Sequence, residues 1–150
     1  MKGCENGYGE SCVHAGTLEM LNPRDNFRSV AGDKANGLAL FQRGCDEHAV
    51  ATACNRVSTL FITGVKDVIA QDMAKAFKYA EKGCELGNLA SCYNTARMYA
   101  NGEGTEKDEA KAKLYRERAE QMHKVLRDES GAAEKPIDSS STKVYLGGKK

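Results

Sequence analysis

From Asp72 onward, small apolar and charged residues alternate with the period of an α-helix. Ala76, Phe77, Ala80 and Cys84 return to one face, while Lys75, Lys78 and Lys82 fall elsewhere. Asp72 is placed to cap this helix, because its carboxylate can accept the free amide protons of the first turn. The pattern comes back 36 residues later: Asp108, Ala110, Lys111, Ala112 and Tyr115 repeat Asp72, Ala74, Lys75, Ala76 and Tyr79. In this second copy Ala112, Tyr115, Ala119, Met122 and Leu126 are expected to form the buried face. A second kind of helix precedes each turn. One runs from Cys92 through Ala96 and Tyr99 to Asn101-Gly102-Glu103-Gly104, where glycine supplies the positive φ that a helix end often needs. Equivalent segments run from Cys54 through Leu60 and Phe61 to Gly64, and from Cys12 through Leu18.

Each unit is therefore a helix, a polar or glycine turn, and a second helix. Units of that kind stack, each burying its apolar face against its neighbours, so the expected fold is an all-α solenoid. Residues 22–34, from Asn22-Pro23 to Lys34, read as a longer loop inside one unit. After Asp128 the chain turns to Gly, Ser, Lys and Ala. The expected organisation is a repeat array over 1–127 and a disordered tail over 128–150.

The cysteines fall into the same period. Cys4 with Cys12, Cys45 with Cys54, and Cys84 with Cys92 form three similarly spaced pairs that recur about every 40 residues. Cys84 ends one unit's second helix and Cys92 opens the next unit's first. The chain between them, with Gly87 in its turn, is long enough to reverse and bring the two Cβ atoms together. A disulfide closing such a loop contributes about 2.5–3 kcal/mol by chain entropy. Two other readings stand beside it. Structural zinc favours C-x2-4-C pairs, which this chain lacks. Buried free thiols would explain the residue type but not the pairing.

Composition narrows the functions. A net charge of +1 and no basic stripe with interleaved aromatics argue against nucleic-acid binding. Apolar stretches of only a few residues argue against a transmembrane helix. The N-terminus, Met1-Lys2-Gly3-Cys4, has neither the apolar core of a signal peptide nor an Arg-rich presequence. Cys4 stands where other units finish a second helix, so the chain is expected to begin mid-repeat, as a truncated product would. Glu120 stands where the alignment calls for a cysteine, so the last helix is expected to cap the array.

Candidate chemistry is sparse. His14, His48 and His123 lie in three different units and are expected to be surface or capping residues rather than ligands of a metal or haem. Gly102-Glu103-Gly104 follows a helix rather than a strand and lacks a third glycine, so it reads as a turn and not a phosphate loop. No nucleophile elbow or C-x-x-C motif is present. No catalytic residue, metal or cofactor is expected, and no enzymatic activity.

Lys75-Ala76, the block Gly83-Cys84-Glu85-Leu86-Gly87-Asn88-Leu89-Ala90-Ser91-Cys92, Ala96-Arg97-Met98-Tyr99, Gly102-x-Gly104 and Lys107-Asp108-x-Ala110-Lys111-Ala112 resemble the Sel-1-like repeat. That family implies TPR-related helix-turn-helix units. The final helix, with Arg118-Ala119-Glu120-Gln121-Met122-His123-Lys124, is similar to its cysteine-paired mitochondrial branch, the cytochrome c oxidase assembly factors. The resemblance covers about residues 3–125. It implies a monomeric, non-enzymatic scaffold of the mitochondrial intermembrane space. Such a scaffold would have protein partners in respiratory-chain assembly and no membrane insertion. It also implies that Cys4, Cys12, Cys45, Cys54, Cys84 and Cys92 are structural bridges. The alternatives are a β-lactamase-like hydrolase, as some cysteine-rich repeat proteins are held to be, and a general protein-interaction adaptor.

Overall fold

A computed structural model describes residue 4 and residues 9–21 and 30–129 of the chain. Among them are six α-helices: α1 (Gly9–Leu21), α2 (Val30–Asp46), α3 (Ala51–Thr63), α4 (Met73–Glu85), α5 (Leu89–Asn101) and α6 (Glu109–Glu129). They pack as three successive hairpins, α1 with α2, α3 with α4 and α5 with α6. Each second helix also packs on the first helix of the next hairpin. This is the stacked helical architecture expected from the repeating pattern.

The helix starts are set by local chemistry. The Asp72 carboxylate accepts the Lys75 amide at 3.0 Å, and that of Asp108 accepts the Lys111 amide at the same distance. Asn88 caps α5 in the same way, taking the Ser91 amide at 2.8 Å. At the C-terminus of α5, Gly102 adopts the left-handed conformation (φ 70°) and its amide returns to the Met98 carbonyl.

The core lies between the hairpins. Phe41, Val57, Phe61, Ile69, Ala76, Ala80 and Met98 form one buried cluster to which the helices α2 to α5 all contribute. Ser58, itself buried, donates its hydroxyl to the Ala76 carbonyl at 2.8 Å and so ties α3 to α4 without an unsatisfied polar group. Aromatic rings extend the core toward the C-terminal end. Phe61 stacks on Tyr79 with centroids 6.3 Å apart. Phe77 meets Tyr99 edge-on at 5.0 Å, and Tyr99 stacks on Tyr115 at 5.5 Å.

Four features differ from the sequence reading. Val30 to Lys34, expected in a loop, are helical. A glycine there costs only about 1 kcal/mol of helix propensity, which extension from an already packed segment outweighs. Residues 22–29 of that loop lie outside the described residues. Leu126, expected on the buried face of α6, is 51% exposed. Met122 is the residue of α6 that reaches Cys92 near the start of α5, so by Leu126 the partner helix has run out. Helix α6 continues to Glu129; the rest of the stretch read as a disordered tail lies outside the described residues. Finally, the α3–α4 connection holds an antiparallel bridge between Val65 and Ile69, which exchange both hydrogen bonds at 2.8 Å and bury Ile69 in the core.

Candidate functional site

The cysteines occupy the joints. Cys4 is bonded to Cys12, Cys45 to Cys54 and Cys84 to Cys92, with Cα atoms 4.6, 4.8 and 4.5 Å apart. Cys45 and Cys84 lie in the last turn of a second helix, and Cys54 and Cys92 near the start of the following first helix. Each of those two bonds therefore crosses from one hairpin to the next. The turn between Cys84 and Cys92 is made by Gly87, whose φ of 98° few other residues adopt.

The bonds are roofed in sequence. A Cβ added at Gly44, the residue before Cys45, would come 3.2 Å from the Cβ of Cys12 and 3.0 Å from that of Ala53. One added at Gly83, before Cys84, would come 3.3 Å from the Cβ of Cys54 and would collide with the Ser91 side chain. Each of these glycines thus lets its helix close down over the preceding disulfide. At the third joint the equivalent residue is Ala119, which packs with Cys84 and Cys92, and Met122 lies over Cys92 with the two sulfurs 3.5 Å apart. No further first helix among the described residues presses there as Ser91 presses on Gly83, so a methyl group fits. The Gly-Cys pairing is visible in the sequence, but its reason is a contact with another repeat.

All six cysteines are 0–1% exposed. Thiol–disulfide exchange requires access of an attacking thiolate to sulfur, so in the folded state these bonds act as joints and not as reagents. Among the described residues no group of His, Cys, Asp or Glu is arranged to hold a metal ion. His14 is exposed and His123 is on the exposed side of α6. His48 is half-buried beside Gly9 and Val50, with its Nε2 enclosed and without a hydrogen-bond partner. The three histidines are not brought together. Gly104 (φ 70°) lies against the Met73 backbone, so the turn Gly102-Glu103-Gly104 packs the third hairpin on the second.

Electrostatics reinforce the second-helix layer. The Tyr79 hydroxyl donates to Asp46 at 2.9 Å, and Lys82 reaches the same carboxylate at 3.2 Å. One hairpin on, the Tyr115 hydroxyl donates to Glu81 at 3.3 Å. Burial, and then the Glu81 charge, push the Tyr115 hydroxyl up to about 12. Burial followed by Asp46 raises Tyr79, and burial followed by Glu81 raises Tyr99. Phenols held neutral in this way are structural donors rather than bases.

The first helices present a different surface. Neighbouring first helices touch one another, whereas second helices approach less closely, so the first-helix layer lies on the tighter side of the stack. Its outer face carries Glu10, His14 and Thr17 on α1, and Thr52, Arg56, Thr59 and Thr63 on α3. On α5 the same face carries Ala90, Asn94, Arg97 and Asn101. It is a broad polar face, with the exposed Leu18 at its α1 edge.

The same stacked hairpins occur in known proteins. The Sel1 repeat family model matches residues 51–88 and 89–122, the second and third hairpins. Cytochrome c oxidase assembly factor 7A of Xenopus laevis is 28% identical over 128 residues, spanning 85% of this chain and 54% of the frog protein. Cytochrome c oxidase assembly factor 7 of Mus musculus is 42% identical over 162 aligned residues, spanning 81% of this chain and 68% of the mouse protein. The chain belongs to the cytochrome c oxidase assembly factor 7 family. It spans about half the length of the frog relative and two thirds of the mouse one. Its fold is also that of a Sel1 repeat protein from Oxalobacter formigenes, with a TM-score of 0.67 and 16% identity over 80% of this chain and 86% of that one. Within the assembly factor 7 family as this chain represents it, the first hairpin, α1 and α2, repeats the architecture outside the segments that the Sel1 model matches.

Proposed function

We propose that this chain is a non-enzymatic helical scaffold that supports assembly of cytochrome c oxidase, respiratory chain complex IV, in the mitochondrial intermembrane space. Membership in a family whose relatives are named for that assembly carries the reading. The three buried disulfides support the compartment, since structural disulfides persist where thiols are not kept reduced. The two-layered helical surface supports a role in binding proteins, as stacked repeats commonly do. No helix among the described residues is long and apolar enough to cross a membrane.

The test is complementation. In cells lacking the endogenous assembly factor, the chain should restore fully assembled complex IV on native gels. In mitochondria with ruptured outer membranes it should become protease-sensitive, with no thiol open to alkylation before reduction. Failure to restore complex IV, or six free thiols in the trapped protein, would overturn the proposal.

A further inference from the structure

Helix α6 does at its joint what α2 and α4 do not. Helices α2 and α4 end one residue after Cys45 and Cys84, at Asp46 and Glu85, whereas α6 runs past Glu120, the corresponding position, to Glu129. That extension lays Met122 over the third joint. Its Sδ is 3.5 Å from the Cys92 Sγ, in a cluster with Cys84, Ala119, Leu89 and Tyr115. Glu47 and Leu86 hold the same place in the other two units, three residues beyond Gly44 and Gly83. Both stand past the end of their helix and are exposed. The first two joints are thus roofed by helix backbone at a glycine, and the third in part by one unbranched side chain that is itself half-exposed.

The chemistry of that side chain sets the third joint apart. A thioether sulfur attacks the O–O bond of a peroxide, takes up one oxygen and is oxidised to the sulfoxide. The other oxygen of hydrogen peroxide is reduced and leaves as water with both protons. The other described methionines are placed differently. Met98 is 0% exposed, Met20 fills the α1–α2 crossing against Gly37, and Met73 packs on the core cluster. A sulfoxide oxygen on Met122 would face Cys92, Ala119 and Leu89, whose side chains offer it no hydrogen bond. An unpaired polar group in such a place is costly, and the cost is relieved when the side chain turns out to water. That movement uncovers the Cys92 sulfur. Leu126, one turn further on, is 51% exposed and does not replace the cover.

We propose that Met122 is a modification site, taking an oxygen atom from peroxides, and that its sulfoxide unlocks the Cys84–Cys92 joint. With Cys92 uncovered, a thiolate attacks its sulfur, forms a mixed disulfide and releases Cys84 as a thiolate. A second thiol of the attacking molecule then displaces Cys92, leaving that molecule as the oxidised product. The joints at Cys12 and Cys54 stay closed under their glycines. This inference goes beyond the proposed function and does not depend on it.

The experiment treats the whole disulfide-bonded chain with graded hydrogen peroxide and then with dithiothreitol, alkylating at intervals. Peptide mass spectrometry locates the added oxygen and the freed thiols. Met122 should gain oxygen before Met20, Met73 and Met98. Cys84–Cys92 should then be reduced about tenfold faster than in the untreated chain, with the other two bonds unchanged. Met122→Leu, which keeps an apolar cover that peroxide does not oxidise, should abolish the acceleration, and Met122→Ala should show it without peroxide. Methionine sulfoxide reductases should reverse it in the treated chain. Met20→Leu should leave the response intact, and circular dichroism checks that each variant is folded. Earlier oxidation of Met20, Met73 or Met98, equal acceleration at all three bonds, or a full response in Met122→Leu would overturn the proposal.

Discussion

The first hairpin and the two that follow reach the same architecture by different packing. In α1 and α2 the helices cross on glycines. A Cβ on Gly16 would meet the Phe41 ring at 2.8 Å and the Gly37 carbonyl at 3.1 Å, and one on Gly37 would meet Met20 at 2.9 Å. In the second and third hairpins the same kind of interface is filled by ring pairs, Phe61 on Tyr79 and Tyr99 on Tyr115, with Phe77 wedged between hairpins. Counted from the joint cysteines, the positions of α1 and α2 that correspond to Phe61 and Tyr79 hold Glu19 and Leu40, neither of them a ring. Backbone proximity and a joint disulfide serve one end of the stack; aromatic volume serves the other. In a repeat array, where each unit contacts only its neighbours, such differences translate into separate local stabilities. The first hairpin should exchange its amides faster than the third.

The strongest way to break that contrast is to remove its central ring. Tyr99 is buried and touches both Phe77 and Tyr115. Tyr99→Ala should cost about 3–5 kcal/mol, in the range of large-to-small core changes. Urea unfolding of the whole chain measures it, and amide exchange locates it: α5 and α6 should lose protection while α1 and α2 keep theirs. Uniform loss across all hairpins would mean that the array unfolds as one unit.

Next in size is the joint. Cys84→Ser with Cys92→Ser removes one bond across the second and third hairpins and should cost about 2.5–3 kcal/mol under non-reducing conditions. The same change at Cys45 and Cys54 should spread further, because that joint ties the glycine-crossed hairpin to the rest. A melting curve unchanged by either pair would show that roofing, and not the bond, holds the joints. A smaller effect is expected from Gly16→Ala, which overpacks the α1–α2 crossing against Phe41 and should cost about 1–3 kcal/mol. Were Gly16→Ala stabilising instead, the first hairpin would have slack that its close contacts deny.

Much of this contrast was legible in the sequence at the level of elements and not at the level of reasons. Asp72 and Asp108 announce helix starts because capping is local, and the helical period of Ala76, Ala80 and Cys84 announces a buried face. The joints were legible because cysteine spacing and the helix repeat coincide. Gly44 and Gly83 were opaque: each accommodates the partner helix of its own hairpin, at Cys12 or Cys54, and the first helix of the next, at Ala53 or Ser91, which no local pattern encodes. Leu126 misled because helical spacing says which face it shares and not where the partner helix stops. The Val65–Ile69 bridge carries too short a segment for a strand signal.

The smallest expected effect tests the aromatic end through pH. Tyr115 is held neutral to about 12, against 10.0 for an unperturbed tyrosine, by burial first and the Glu81 charge second. Below about pH 10 the phenol is protonated in both folded and unfolded chains, so this group leaves stability flat. Between pH 10.0 and about 12 the unfolded chain releases its proton while the folded one retains it, so the unfolded state gains and stability falls. Tyr79 and Tyr99 are raised for the same reasons and add to the decline. Tyr115→Phe keeps the ring on Tyr99 but removes the titrating group and its hydrogen bond to Glu81. At neutral pH it should lose about 0.5–1 kcal/mol, the net worth of one hydrogen bond. As pH climbs through that window its unfolding midpoint should fall less than that of the unsubstituted chain, until the two curves draw together. A variant whose alkaline decline matched the original would assign that decline to Tyr79 and Tyr99 and leave the Tyr115 stack as packing alone.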